Sequence, residues 1–281
     1  MKQKKLHKKF MKTRTLEKIK LDLLIIDIDD TFIYHRTVAS ANRIFLTTLY
    51  YLFRKKPEND QIYTTKSSLI LILKLISSSF LKIHLSRCKI KKMFLLSRTA
   101  ICLHFLNLFR RINNNFFRAI SNEKMIRLWA QSVVNLGIKA DEYQIPEKAI
   151  KKHINPQILR IYNSLKKSNP KMHVLAISQS FSLGNNPIKK LLKIDIYESN
   201  RFIINNKGII TGFKLNVRNA KDKKKIAEKE IQQLKPEKIA VIVEDYDDIL
   251  LLELKNLGFI VYKKRMKRFI KHALVPSLDF S

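Results

Sequence analysis

Acidic residues are scarce in this chain. It carries 23 Asp and Glu against 56 Lys and Arg, a formal net charge of +33 over 281 residues. From Gln61 to Asn122 there is no acid at all, while eleven Lys and Arg occur. A surface of one sign attracts phosphates, nucleic acid or anionic lipid headgroups. A compositional bias of the source genome, which would put lysine on every solvated face, accounts for part of the same excess. Cysteine is nearly absent too. Cys88 and Cys102 form no CxxC pair and lie far from any histidine cluster of ligand spacing. That excludes a disulfide framework and a zinc ribbon, and indicates reduced, structural thiols in a cytosolic-type setting. Glycine occurs only five times, which makes each one informative.

Long apolar runs are also missing. The most apolar stretch, 67–85, is interrupted by Lys74 and Lys82 and falls short of a span of about 20 apolar residues. A buried helix fits it best, and an amphipathic helix on a membrane surface is the alternative. Residues 1–20 are basic but have no apolar core, so they do not read as a secretory signal.

What the chain does have is a long interior and punctuated elements. Apolar residues make up 46%, enough for one large domain or a core with an insertion. A first strand is expected at 23–27. From 37 to about 149 the apolar spacing is helical, at 41–53, 67–85, 94–109 and 124–136. Pro57, Asn113 to Asn115 and Gly137 punctuate the block. After Asn155-Pro156 strands and helices alternate: helix 156–167, strand 171–177, and a helix beginning at 188–192. A hairpin at 201–206 and 208–215 follows, then helix 221–234, strand 239–243, helix 249–256 and strand 259–262. Alternation of this kind implies an α/β, doubly wound parallel sheet with an all-helical insertion and a small β-hairpin.

Four groups of residues carry chemistry. Asp27-Ile28-Asp29-Asp30-Thr31 follows the apolar run Leu23-Leu24-Ile25-Ile26. A buried parallel strand that stops at carboxylates places them at the sheet edge where ligands bind. Such carboxylates can hold a hard cation and attack phosphorus. Ser178 closes a second apolar run, where a hydroxyl can donate to a phosphoryl oxygen. Lys221, Lys223, Lys224 and Lys225 crowd a helix start, against the helix dipole unless an anion is nearby. Last, Glu244-Asp245-Tyr246-Asp247-Asp248 ends a third apolar run and concentrates four of the 23 acids in five positions.

In this order the four groups resemble the motifs of the haloacid dehalogenase superfamily, in its phosphoserine-phosphatase-like branch. The resemblance covers 23–38 and 156–262. Asp27-Ile28-Asp29-Asp30-Thr31 matches the first motif. Gly208-Ile209-Ile210-Thr211-Gly212 follows a pattern of the branch, and Asn219-Ala220-Lys221 resembles the third motif and singles out Lys221. The resemblance implies a Rossmann-like core at 22–36 and 150–275, a helical cap at 37–149 and a basic tail at 1–21. It further implies a phosphomonoester hydrolase. Asp27 would be the nucleophile that forms an aspartyl-phosphate, and Asp29 the acid and base. Ser178 and Lys221 would hold phosphoryl oxygens, and Mg²⁺ would sit among Asp27, Asp29, Glu244 and Asp248.

Two departures stand out. Aligning Asp248 on the final acid of the last motif puts Glu244 at the metal position and Val243 at its glycine. Glu is one methylene longer than Asp, and Mg²⁺ demands near-ideal octahedral geometry. Arg36 stands where phosphoserine phosphatases carry an acid for the substrate amine. A guanidinium there favours a carboxylate, phosphate or lipid headgroup, so the expected substrate is an anionic phosphorylated small molecule other than phosphoserine. The competing expectation is a catalytically degenerate protein whose basic cap and tail bind anionic membrane or nucleic acid. No nucleic-acid signature supports that second partner.

Overall fold

The computed structural model describes residues 19–28, 31–32, 115–137, 139–143, 147, 150–151, 154–270 and 275–280. The expected helices 41–53, 67–85 and 94–109, with Asp29 and Arg36, lie outside the described residues.

Seven strands form one sheet in the order β4-β3-β2-β1-β5-β6-β7. They are β1 Leu23–Ile26, β2 His173–Phe181, β3 Ile196–Ile204, β4 Ile210–Lys214, β5 Ile239–Val243, β6 Leu257–Lys263 and β7 Ser277–Phe280. Every neighbouring pair is parallel except β3 and β4, which form the antiparallel hairpin. Gly208, at φ 74°, supplies the left-handed backbone its turn needs. The parallel, doubly wound sheet expected from alternating elements is therefore the one observed.

Burial explains why β1 lies at the centre. All four of its residues are fully buried. Leu24 and Ile26 join Val174, Ala176, Ile158, Ile242 and Val261 in a cluster on one face. Leu23 and Ile25 join Leu175, Ile177, Val241 and Ala227 in a cluster on the other. A strand apolar on both sides must be covered on both sides, and each such side chain contributes roughly 1.5–3 kcal/mol on burial.

Around the sheet run helices α1 Asn115–Leu136, α2 Ala140–Tyr143, α3 Pro156–Ser168, α4 Ser182–Leu191, α5 Ala220–Leu234 and α6 Lys267–Ile270. Asn155 caps α3 through its side chain, with Pro156 at the first helical position, and Asn219 caps α5 likewise. A third cluster joins α1 to the hairpin: Ala130 and Val133 pack with Phe181 and Ile210, flanked by Trp129, Phe202 and Phe213. No described helix is long and apolar enough to cross a membrane.

Some boundaries differ from the sequence reading. Strand β2 continues past 177 to Phe181, because parallel pairing with β3 carries Ser178 onto Ser199 before a bulge. The expected helix 249–256 is a 3₁₀ helix, Tyr246–Glu253, which Asp245 starts early by capping. Strand β7 lies beyond residue 275 and pairs with β6.

Candidate active site

The order of strands creates the site. From β1 the chain steps to β2 and β3 on one side, then returns to β5, β6 and β7 on the other. Crossovers diverge between β1 and β5, and ligands in such sheets bind beyond the strand ends at that crevice. Ile26 of β1 stands level with Ala176 of β2 and Ile242 of β5. One residue on, Asp27 comes level with Ile177 and Val243. Ser178 and Glu244 follow directly at the same edge.

Asp27 is buried. Its Oδ1 accepts from the Ile28 backbone N–H at 2.8 Å, and its Oδ2 lies 3.0 Å from Lys223 Nζ. Lys223 donates to Asp248 Oδ1 at 2.6 Å. The other oxygen of Asp248 accepts from the backbone N–H groups of Glu244, at 3.0 Å, and Asp245, at 3.4 Å. Both oxygens of Asp248 are thus committed, and the residue anchors the lysine. Lys223 is only 1% exposed. Burial pushes its ammonium toward the neutral form, but the charges of Asp248, Asp27 and Asp247 outweigh this and hold it above the usual lysine range.

The lysine that meets Asp27 is therefore Lys223 and not Lys221. Lys221 lies exposed at the start of α5, its backbone N–H donating to the capping Asn219 at 3.0 Å. A signal for this was present in the sequence. Lys223, Ala227 and Glu230 are the buried positions of α5, one helical stripe facing the sheet. Two positions away, Lys221 falls on another side of the helix.

Ser178 is fully buried at the end of its apolar run. Its Oγ lies 2.8 Å from Ser180 Oγ and accepts from the Ser180 backbone N–H at 3.1 Å. This holds the hydroxyl at the bulged bend near the end of β2, where pairing with β3 shifts register. Asn200, which the sequence reading missed, ties that bend to the approach to α5. Its amide donates to the carbonyls of Gln179, at 2.6 Å, and Val217, at 3.0 Å, and its oxygen accepts from Val217 N–H at 2.9 Å. A buried Asn with both ends satisfied is a local brace.

Glu244 faces the other side of the crevice. Oε1 receives Arg265 Nη2 at 2.6 Å and Lys263 Nζ at 2.7 Å. Oε2 accepts from Thr31 Oγ1 at 3.2 Å, and the Glu244 carbonyl accepts from Arg265 Nε at 3.0 Å. Asp245 caps the 3₁₀ helix, in a reciprocal box with Asp248, and lies 3.6 Å from Arg265. The roles of Lys263 and Arg265 were not read from the sequence, since they depend on which strand neighbours β5.

Among the described residues, which hold only part of the expected magnesium set, that set is not assembled. Asp248 is fully engaged by Lys223 and backbone donors, Glu244 is held by two cations, and Asp29 is outside the described residues. Among the described residues no group of three or more His, Cys, Asp or Glu is arranged to hold a metal ion. The described carboxylates, already engaged by cations and backbone donors, do not by themselves fit that ion.

Neither a family model nor a curated protein matches this chain. Solved structures do. A phosphoserine phosphatase in a phospho-aspartyl intermediate analogue form is 17% identical, with 92% of this chain and 94% of that one covered at a TM-score of 0.51. Cytosolic 5'-nucleotidase IIIB bound to cytidine is 10% identical, with 95% and 83% covered and a TM-score of 0.53. A protein of unknown function from Bordetella pertussis Tohama I is 9% identical, with 92% and 97% covered and a TM-score of 0.51. In its strand order and central β1 the chain shares the α/β fold of this phosphoserine phosphatase and this nucleotidase, with Asp27 at the switch point.

Proposed function

We propose that the chain is a phosphatase that hydrolyses a phosphomonoester through a phosphorylated Asp27. The observation that supports this best is a buried aspartate at the switch point with its charge held by a buried lysine. An oxygen of Asp27 attacks phosphorus, the bond from phosphorus to the leaving oxygen breaks, and that oxygen departs with the electron pair. Asp29, two residues on, is the expected donor of its proton. Water, deprotonated by the same residue, then attacks phosphorus. The bond to Asp27 breaks, phosphate leaves and the carboxylate is restored.

Lys223 takes the role that the third motif assigns to a lysine. Its charge reduces repulsion between the Asp27 carboxylate and an approaching phosphoryl group, in a site shielded from water. Ser178 offers a held hydroxyl to a phosphoryl oxygen. In this reading 37–149 is a cap over the pocket, and Arg36 with the basic cap selects an anionic substrate other than phosphoserine. A soluble phosphorylated metabolite and a lipid phosphate both meet that description.

A panel of phosphoesters, scored by phosphate release, tests the reading. Asp27→Asn is expected to lower turnover by on the order of 10³-fold or more. Unchanged turnover in that variant would sink the proposal.

A further inference from the structure

Glu244 would be a metal ligand if the last acidic group acted as its resemblance implies, yet its surroundings are those of an ion-pair anchor. The parallel register places Val243 of β5 beside Tyr262 of β6, so the next residues along, Glu244 and Lys263, are neighbours at the sheet edge. The extra methylene of Glu carries its carboxylate out to meet Lys263 at 2.7 Å and Arg265 at 2.6 Å. Arg265 grips twice, on the carboxylate and on the Glu244 carbonyl at 3.0 Å. Thr31 completes the enclosure at 3.2 Å. Glu244 itself is 1% exposed, so its carboxylate meets these cations from inside while they reach in from the rim.

We propose that Lys263 and Arg265 are resident cations that neutralise this edge of the crevice in place of a divalent metal, so that Glu244 is withheld from Mg²⁺ and the chain binds that ion weakly. The inference rests on the reading of the pocket as a phosphoryl-transfer site. For Glu244 to ligate Mg²⁺, two part-buried charge-assisted hydrogen bonds must break, and the displaced cations must stay within repulsive range of the incoming ion. Mg²⁺ binds through near-ideal octahedral geometry and dehydrates reluctantly, so it gains little from a carboxylate that is already engaged. Removing the two cations frees the carboxylate and should create affinity.

Calorimetric titration of the full chain with MgCl₂ tests this without any turnover. The double variant Lys263→Met/Arg265→Met is expected to bind Mg²⁺ at least about tenfold more tightly than wild type. Glu244→Gln is expected to leave wild-type affinity within about twofold. Equal or weaker binding in the double variant would overturn the proposal, as would a loss of about tenfold or more in Glu244→Gln. If circular dichroism shows the double variant unfolded, Glu244→Gln decides alone. Failure of every phosphoester to turn over would count against the phosphatase reading and leave these binding results interpretable.

Discussion

Lys223 and Arg265 each answer a carboxylate at the carboxyl edge of the same sheet, but the first is 1% exposed and the second 52% at its side chain. On the β1 side a single lysine serves two aspartates from inside the fold, reached by a helix stripe that must face the sheet. On the β6 side two cations serve one glutamate from the rim. On the closed side Lys223 meets both Asp27 and Asp248 where all three side chains are buried, so its loss falls on acids held away from bulk water. The rim side has both a spare cation and solvent. Similar ion pairs therefore carry different weight, set by burial and redundancy rather than by distance.

That contrast can be broken by substitution. The largest stability effect is expected from Lys223→Met, which leaves Asp27 and Asp248 buried without their cation and should cost about 3–5 kcal/mol in urea unfolding. Combining it with Asp248→Asn should cost clearly less than the sum of the single changes, since both act on one network. A cost for Lys223→Met as small as that of a surface pair would erase the distinction between the two sides.

Next comes Asn200→Ala, which leaves a backbone N–H and two carbonyls without their partner and should cost about 1–3 kcal/mol. Its phosphate release should fall with it, because Ser178 and α5 would lose their common brace. Arg265→Gln, with Lys263 still on Glu244, should cost only about 1 kcal/mol. Equal penalties for Lys223→Met and Arg265→Gln would show that redundancy does not protect the rim.

The pH dependence should separate the sides as well. Lys223 is held above its ordinary value of 10.5, so its contribution is complete below that value and is lost only as pH rises through the raised one. The stability gap between wild type and Lys223→Met should accordingly stay flat from about pH 7 to about pH 10. A smaller effect belongs to Asp222. Burial opposes its ionisation, but bonds from Arg218 prevail and hold it below its ordinary 3.8. Its contribution is present above that value and fades as pH falls through the depressed one, so Asp222→Asn should soften the acid limb of unfolding only slightly.

Much of the core was legible from residue order. The runs Leu23 to Ile26 and Ile239 to Val243 could only be strands covered on both faces, and the acids that end them could only lie at a strand edge. Strand β7 was not legible, because its four residues, Ser277–Phe280, carry too little pattern. Nor was the full length of β2, since Gln179 and Ser180 are polar and lie where the pairing with β3 shifts register, between Ser178 and Phe181. The choice among four lysines needed the helix phase. Motif spacing favoured Lys221, whereas the stripe shared with Ala227 and Glu230 turns Lys223 inward.

By itself, then, the order of apolar runs and their terminal acids determined a doubly wound sheet with carboxylates at one edge, because burial and backbone hydrogen bonding leave few other arrangements. Tertiary structure alone decided what those carboxylates face. Lys223 reaches Asp27 from 196 positions away, and Lys263 reaches Glu244 only because β6 lies beside β5. Local sequence encodes the strand and its end. The charge opposite that end comes from whichever element packs against it, and packing is a property of the whole chain.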